Sequence, residues 1–157
     1  MGINQKTAKI PFWILFSIAS FIVVFDFIFT YIILSTNSRA YESNPIQMFF
    51  VDTFGLDYFL VMVPISIIFL YLVIHLGDWL IKSFDKKTKI NGKNYISIII
   101  ILITLPNVII NEILVLILND NIFNLGFRGS IIAGLVLMII YIILVELDDI
   151  SEKKKNK

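Results

Sequence analysis

The chain has 157 residues, 58% of them hydrophobic and 16% charged, with a mean hydropathy of +0.89 and a formal net charge of +1. Ordinary soluble domains are about 45–50% apolar and about 25% charged. The excess excludes a disordered chain, a nucleic-acid binder held by net positive charge, and a soluble enzyme, and it leaves a small integral membrane protein.

Cysteine is absent and histidine occurs once. No disulfide, thiolate metal site or thiol nucleophile can therefore operate, and the redox compartment stays open. The apolar residues fall into four blocks, about 10–34, 57–82, 95–118 and 129–147, each long enough to cross a bilayer core as a helix of about 20 residues. They are read as four transmembrane helices in one membrane domain, 1–157, an all-α polytopic fold arranged as a four-helix bundle, with a tail at 148–157. Membrane strands would need alternating apolar and polar residues. Runs such as Ile98-Ile99-Ile100-Ile101 do not alternate.

The first block is too long, and too polar within, for a cleaved signal peptide. Pro11 stands in its first turn, where a missing N–H costs nothing. After it, Asn44-Pro45 reads as a helix cap followed by a first-turn proline. The apolar stretch 46–54 that follows is too short to span and is expected as a short interfacial helix. Pro64 and Pro106 fall inside the second and third spans, and Gly55 and Gly126 in connections. Gly129, Ser130, Ala133 and Gly134 give the fourth span a small-residue face suited to close helix packing.

Orientation follows from the placement of Lys and Arg. Lys6 and Lys9 precede the first span; Lys82, Lys86, Lys87, Lys89 and Lys93 crowd the second connection; Lys153, Lys154, Lys155 and Lys157 end the chain. The first connection has Arg39 against Glu42, Asp52 and Asp57, and the third has Asp120 and Arg128. Both termini and the Lys-rich loop are thus expected on the cytoplasmic side of a multi-pass cell-membrane protein. The lysines also suit an anionic leaflet. Acidic residues in the tail weaken any nucleic-acid role, and no nucleic-acid partner is expected.

A charge at the centre of a spanning helix costs about 2.5–3.5 kcal/mol on insertion scales, so each intramembrane polar group is informative. Asp26 lies roughly 12 Å inside the end of the first span, and Thr30 shares its face one turn on. Asn107, Asn111 and Glu112 lie in the third span. Taken as two antiparallel segments carrying polar groups at matching depth, these spans predict one shared outward-facing site, with Glu42 and Asn44 closing its mouth. The alternative is two unrelated interhelical hydrogen bonds. Carboxylate, amide and hydroxyl oxygens suit a hard divalent cation, with Asp26, Glu42 and Glu112 as the metal-ligating carboxylates. A carboxylate group of this kind could also carry protons. On the other side, His75 and Asp78 form a secondary candidate, either a His–carboxylate relay or half of a metal site. The competing reading is an interfacial pair beside Trp79 of an aromatic belt.

Asp26-x3-Thr30 followed by Glu42-x-Asn44-Pro45 and an Asn-bearing third span resembles a family of small archaeal and bacterial four-span membrane proteins whose function is unknown. The resemblance covers about residues 12–147. It implies a common site at Asp26, Thr30, Glu42, Asn44 and Pro45, and no reaction. Three classes of function follow: a membrane protein whose polar site binds a cation, proton or small ligand; a membrane-embedded metal-dependent hydrolase or transferase using Asp26 or Glu42 as base; and an accessory subunit of a larger membrane complex. Four helices offer little wall for transport by one copy, which a homodimer would supply.

Overall fold

A computed structural model describes residues 9–36, 45–84, 91–109 and 123–155. All regular structure in them is helical: α1 (Phe12–Thr36), α2 (Pro45–Phe54), α3 (Tyr58–Phe84), α4 (Gly92–Val108) and α5 (Phe123–Lys155). Three stretches, Phe12–Thr36, Tyr58–Phe84 and Ile131–Asp148, are long and apolar enough to cross a membrane. α4 is a shorter apolar helix of 17 residues. The rest of the predicted third span, 110–118, lies outside the described residues.

Large apolar side chains cover the outside of these helices: Phe21, Ile68, Phe69, Ile132 and Ile143 are all more than half exposed. Contiguous apolar surface on this scale is unstable in water and is the ordinary boundary with lipid. The protein is a small, mostly helical, membrane-embedded one.

α1, α3 and α4 pack pairwise on one another, and α5 packs along α4. The described helices therefore form a three-helix cluster with α5 applied to α4. The core of the cluster is Ala19, Leu70 and Ile74, with Phe12, Phe16, Ile96, Ile100 and Ile101 around it. α4 is the central element; between Gly92 and Val108 only Leu105 is exposed. On α5 the buried and half-buried residues Gly134, Met138, Tyr141, Val145 and Asp148, with Ala133 and Ile142 beside them, follow a spacing of four and three that is one seam of a helix. A Cβ at Gly134 would lie 2.9 Å from the Ile103 carbonyl oxygen and 3.0 Å from its Cα, so the small residue is what lets the two backbones approach.

Cross-helix contacts fix the directions. Phe12 meets His75 and Phe27 meets Phe59, so α1 and α3 are antiparallel. His75 meets Lys93, which makes α3 and α4 antiparallel. Asn94 Nδ2 donates to the Ile10 carbonyl at 2.8 Å, so α1 and α4 start at the same end. They run parallel, correcting the antiparallel assignment. One long helix, α3, lies between them in the chain, and the two reversals on either side of it restore the original direction.

The short helix begins at Pro45, as its fixed φ and missing N–H favour. It ends at Gly55, whose φ of +78° and N–H bond to the Val51 carbonyl (2.8 Å) make a left-handed cap that side chains with a Cβ rarely adopt. The other glycine expected in a connection, Gly126, is instead inside α5, which begins at Phe123 and continues through the charged tail to Lys155. An isolated glycine costs a helix only about 1 kcal/mol, which the helix around it absorbs.

Candidate functional site

One end of the cluster gathers the start of α1, the end of α3 and the start of α4; we call it the basic end, after Lys82 and Lys93. Here α4 is opened by Asn91, whose side chain accepts from the Asn94 N–H at 3.4 Å. That start lies three residues earlier than the predicted span. Gly92 follows, and a Cβ there would overlap Asp78 Oδ1 and lie 3.1 Å from Asp78 Cα. The Asp78 carboxylate is therefore pressed against the first turn of α4, where unpaired N–H groups and the helix dipole favour negative charge. Asp78 is 6% exposed. Its Oδ2 accepts from Lys82 Nζ at 2.7 Å one turn along the helix, and Oδ1 is buried with no hydrogen-bond partner among the described residues.

His75 lies one turn earlier on α3. Its Nδ1 is 2.9 Å from the Tyr71 carbonyl and its Nε2 is 3.0 Å from Lys93 Nζ. A carbonyl only accepts and an ammonium only donates. Both contacts are satisfied together by the tautomer that carries its proton on Nδ1 and leaves a lone pair on Nε2 for Lys93. Tyr71 packs against the imidazole at 4.0 Å between centroids, Phe12 meets it edge-on at 5.7 Å, and Lys93 Nζ stands 5.5 Å above the Phe12 ring. Lys93 accordingly joins three helices: its own, α3 through His75, and α1 through Phe12. Trp13 and Trp79, both 62% exposed, lie at this same end, as interfacial tryptophans do.

The secondary candidate pair is thus divided between two partners, His75 facing Lys93 and Asp78 facing Lys82. Lys93, Gly92, Asn94 and Tyr71 were not singled out by sequence. The Asn91-Gly92 step was the available signal, since Asn caps helices and a start at 92 moves Lys93 out of the loop and into the first turn of α4.

Farther from this end, Asp26 continues the buried stripe of α1: Leu15, Ala19, Ile22, then Asp26, with Thr30 one turn on. Asn107 stands seven residues, nearly two turns, after Ile100, which packs on the core. Asp26, Thr30 and Asn107 are each half-buried, and each is engaged in an interaction. Counted from the Asn94–Ile10 bond at 1.5 Å per residue, Asp26 lies about 24 Å along α1 and Asn107 about 20 Å along α4. Glu42, Asn44, Asn111 and Glu112 lie outside the described residues. Among the described residues no three His, Asp or Glu side chains converge in a way that could hold a metal.

Comparison with family models, curated proteins and solved structures found no match to this chain.

Proposed function

We propose that this is a four-span membrane protein with both termini cytoplasmic, in which Asp26, Thr30 and Asn107, with Asn111, Glu112, Glu42 and Asn44, form an intramembrane site for a hard cation. One observation carries the reading: Asp26 and Asn107 extend the core-facing stripes of two parallel, directly packed helices, at depths within about 5 Å of each other. A carboxylate on an inward stripe is costly in a membrane unless something compensates it, and an oxygen-rich neighbour with a bound cation does so. The Phe27–Phe59 contact sets this level of α1 beside the start of α3. The resemblance on Asp26-x3-Thr30 and Glu42-x-Asn44-Pro45 belongs to the same reading. The lysine distribution supports the orientation.

The test is thermal unfolding of detergent-purified protein in Na⁺, Mg²⁺, Ca²⁺, Mn²⁺ or Zn²⁺, alongside Asp26→Asn. A cation at 100 times its dissociation constant adds about 2.7 kcal/mol. The reading requires stabilisation by one hard cation that Asp26→Asn abolishes. Equal melting in all five, with Asp26→Asn as stable as the parent, would overturn it in favour of proton handling or a purely structural carboxylate.

A further inference from the structure

The basic end holds a feature that the cation site does not use. His75 accepts from Lys93 only while its ring is neutral, and a second acceptor, Asp78 Oδ1, which has no hydrogen-bond partner among the described residues, is buried against Gly92, the residue next to Lys93. Imidazole is the side chain that changes charge near neutral pH. We propose that His75 and Lys93 form an acid-shifted latch between α3 and α4, in which protonation of the ring moves the Lys93 ammonium from His75 Nε2 to Asp78 Oδ1, about one turn along the same helix.

The steps balance without any co-reactant. A proton from the aqueous phase adds to Nε2; the nitrogen that accepted becomes a donor, and two cations then face each other at the 3.0 Å now spanned by one hydrogen bond. The Nδ1–H stays on the Tyr71 carbonyl, so the ring is held in place and Lys93 is the group that leaves. Its destination is close because the Asp78 carboxylate occupies the space where residue 92 would carry a Cβ. Ammonium and carboxylate then form the charge-assisted bond that Oδ1 lacks. Among the described residues, the charged and titratable groups around the ring are Tyr71, Asp78 and Lys82 on α3, and Lys93 on α4. α1 presents the uncharged Phe12 there, with Lys9 just before the helix, and the titratable Tyr95 of α4 packs on Tyr141 of α5. Among the described residues Asp78 is the carboxylate beside the ring, and Glu146 of α5 lies toward Tyr95. The consequence is that acid exchanges one α3–α4 tie for another, at Asp78 in place of His75, and loosens Lys93 from Phe12 on α1, while the Asn94–Ile10 bond still joins α1 to α4.

The experiment exploits the single histidine of the chain. Full-length protein in lipid nanodiscs, with ring nitrogens labelled, is followed by NMR from about pH 8 to about pH 5. In a Trp13→Phe background, Trp79 emission reports on the neighbouring Asp78. The latch predicts an Nδ1–H tautomer at the alkaline end, and a Trp79 shift that tracks ring protonation. Asp78→Asn should keep the ring step and lose the emission shift. Should Asp78→Asn fail to fold, His75→Gln, whose amide oxygen takes the place of Nε2 and accepts from Lys93 at every pH, must give a flat emission profile. An Nε2–H tautomer at the alkaline end would overturn the latch. So would an emission shift that persists in either variant, or ring protonation with no Trp79 response in the parent.

Discussion

At the basic end the helices are joined by polar groups: Lys93 to His75, Asn94 to the Ile10 carbonyl, Lys82 to Asp78. At the far end, where α2 turns into α3, they are joined by rings. Phe50 stacks on Tyr58 at 4.9 Å and on Phe54 at 6.0 Å, Tyr58 meets Phe59 edge-on, and Phe59, fully buried, packs on Phe27 of α1. Lipid is as apolar as these rings, so no hydrophobic force drives helix against helix in the membrane; shape and dispersion hold the aromatic end. Interhelical polar bonds average only about 0.6 kcal/mol in such surroundings. The polar end gains less energy per contact, but its contacts can be made and broken by charge. The ring contacts themselves carry no charge, so of these two sets of helix-to-helix contacts it is the polar one that charge can alter.

The largest effect should therefore come from the aromatic end. Phe59→Ala removes a fully buried ring and is expected to cost about 3 kcal/mol of stability, by an equal amount at low and high salt and at acid and neutral pH. Melting in detergent under those four conditions checks it; a cost that varied with salt or pH would erase the contrast between the ends.

Two glycines sharpen the comparison, at about 1–3 kcal/mol each. Gly92→Ala places a methyl on the Asp78 carboxylate, and Gly134→Ala places one against the Ile103 backbone. Both should melt earlier. Only Gly92→Ala should alter the ring-nitrogen spectrum of His75, because Gly134 acts on the α4–α5 seam alone. A change in that spectrum from Gly134→Ala would mean that α5 is coupled to the basic end through α4.

Asn94→Ala is expected to cost about 1 kcal/mol, since it removes the bond to Ile10 and leaves a carbonyl that interfacial water can partly satisfy. Its signature is local, with faster amide exchange at the start of α1 and none at Phe59. Exchange that rose at both ends would show that the cluster opens as a unit.

Much of the fold was legible because helix length and hydropathy are local properties. The apolar blocks, the Pro45 start and the small-residue face at Gly134 all follow from a few consecutive residues. The basic end was not, for a physical reason. Counting Lys93 among the loop lysines used its charge and ignored its register, and its partner His75 is eighteen positions away. The two meet only because α3 and α4 are antiparallel and Gly77 and Gly92 let them close up; a Cβ at Gly77 would stand 2.9 Å from the Ile96 side chain. Asp26 was legible as an inward carboxylate because cost alone marks it. Its proposed relation to Asn107 needs the parallel direction of α1 and α4, which follows from counting reversals of the chain and not from any motif.

The smallest effect belongs to Lys82→Gln. The Lys82 side chain is 61% exposed, so the 2.7 Å pair with Asp78 is made largely in water on the lysine side. The arrangement is a favourable one for a helix, acid four residues before base, with the base in the last turn. Pairs of this kind contribute about 0.3–0.5 kcal/mol, and salt screens them over about 3 Å at 1 M. Lys82→Gln should lower the melting temperature slightly at low salt and not at all at 1 M. A larger loss that survived high salt would mean that Asp78 depends on Lys82 and not on the first turn of α4 for its charge. Oδ1 would then be a poor second acceptor for Lys93, and the contrast between a responsive polar end and an unresponsive aromatic one would rest on His75 alone.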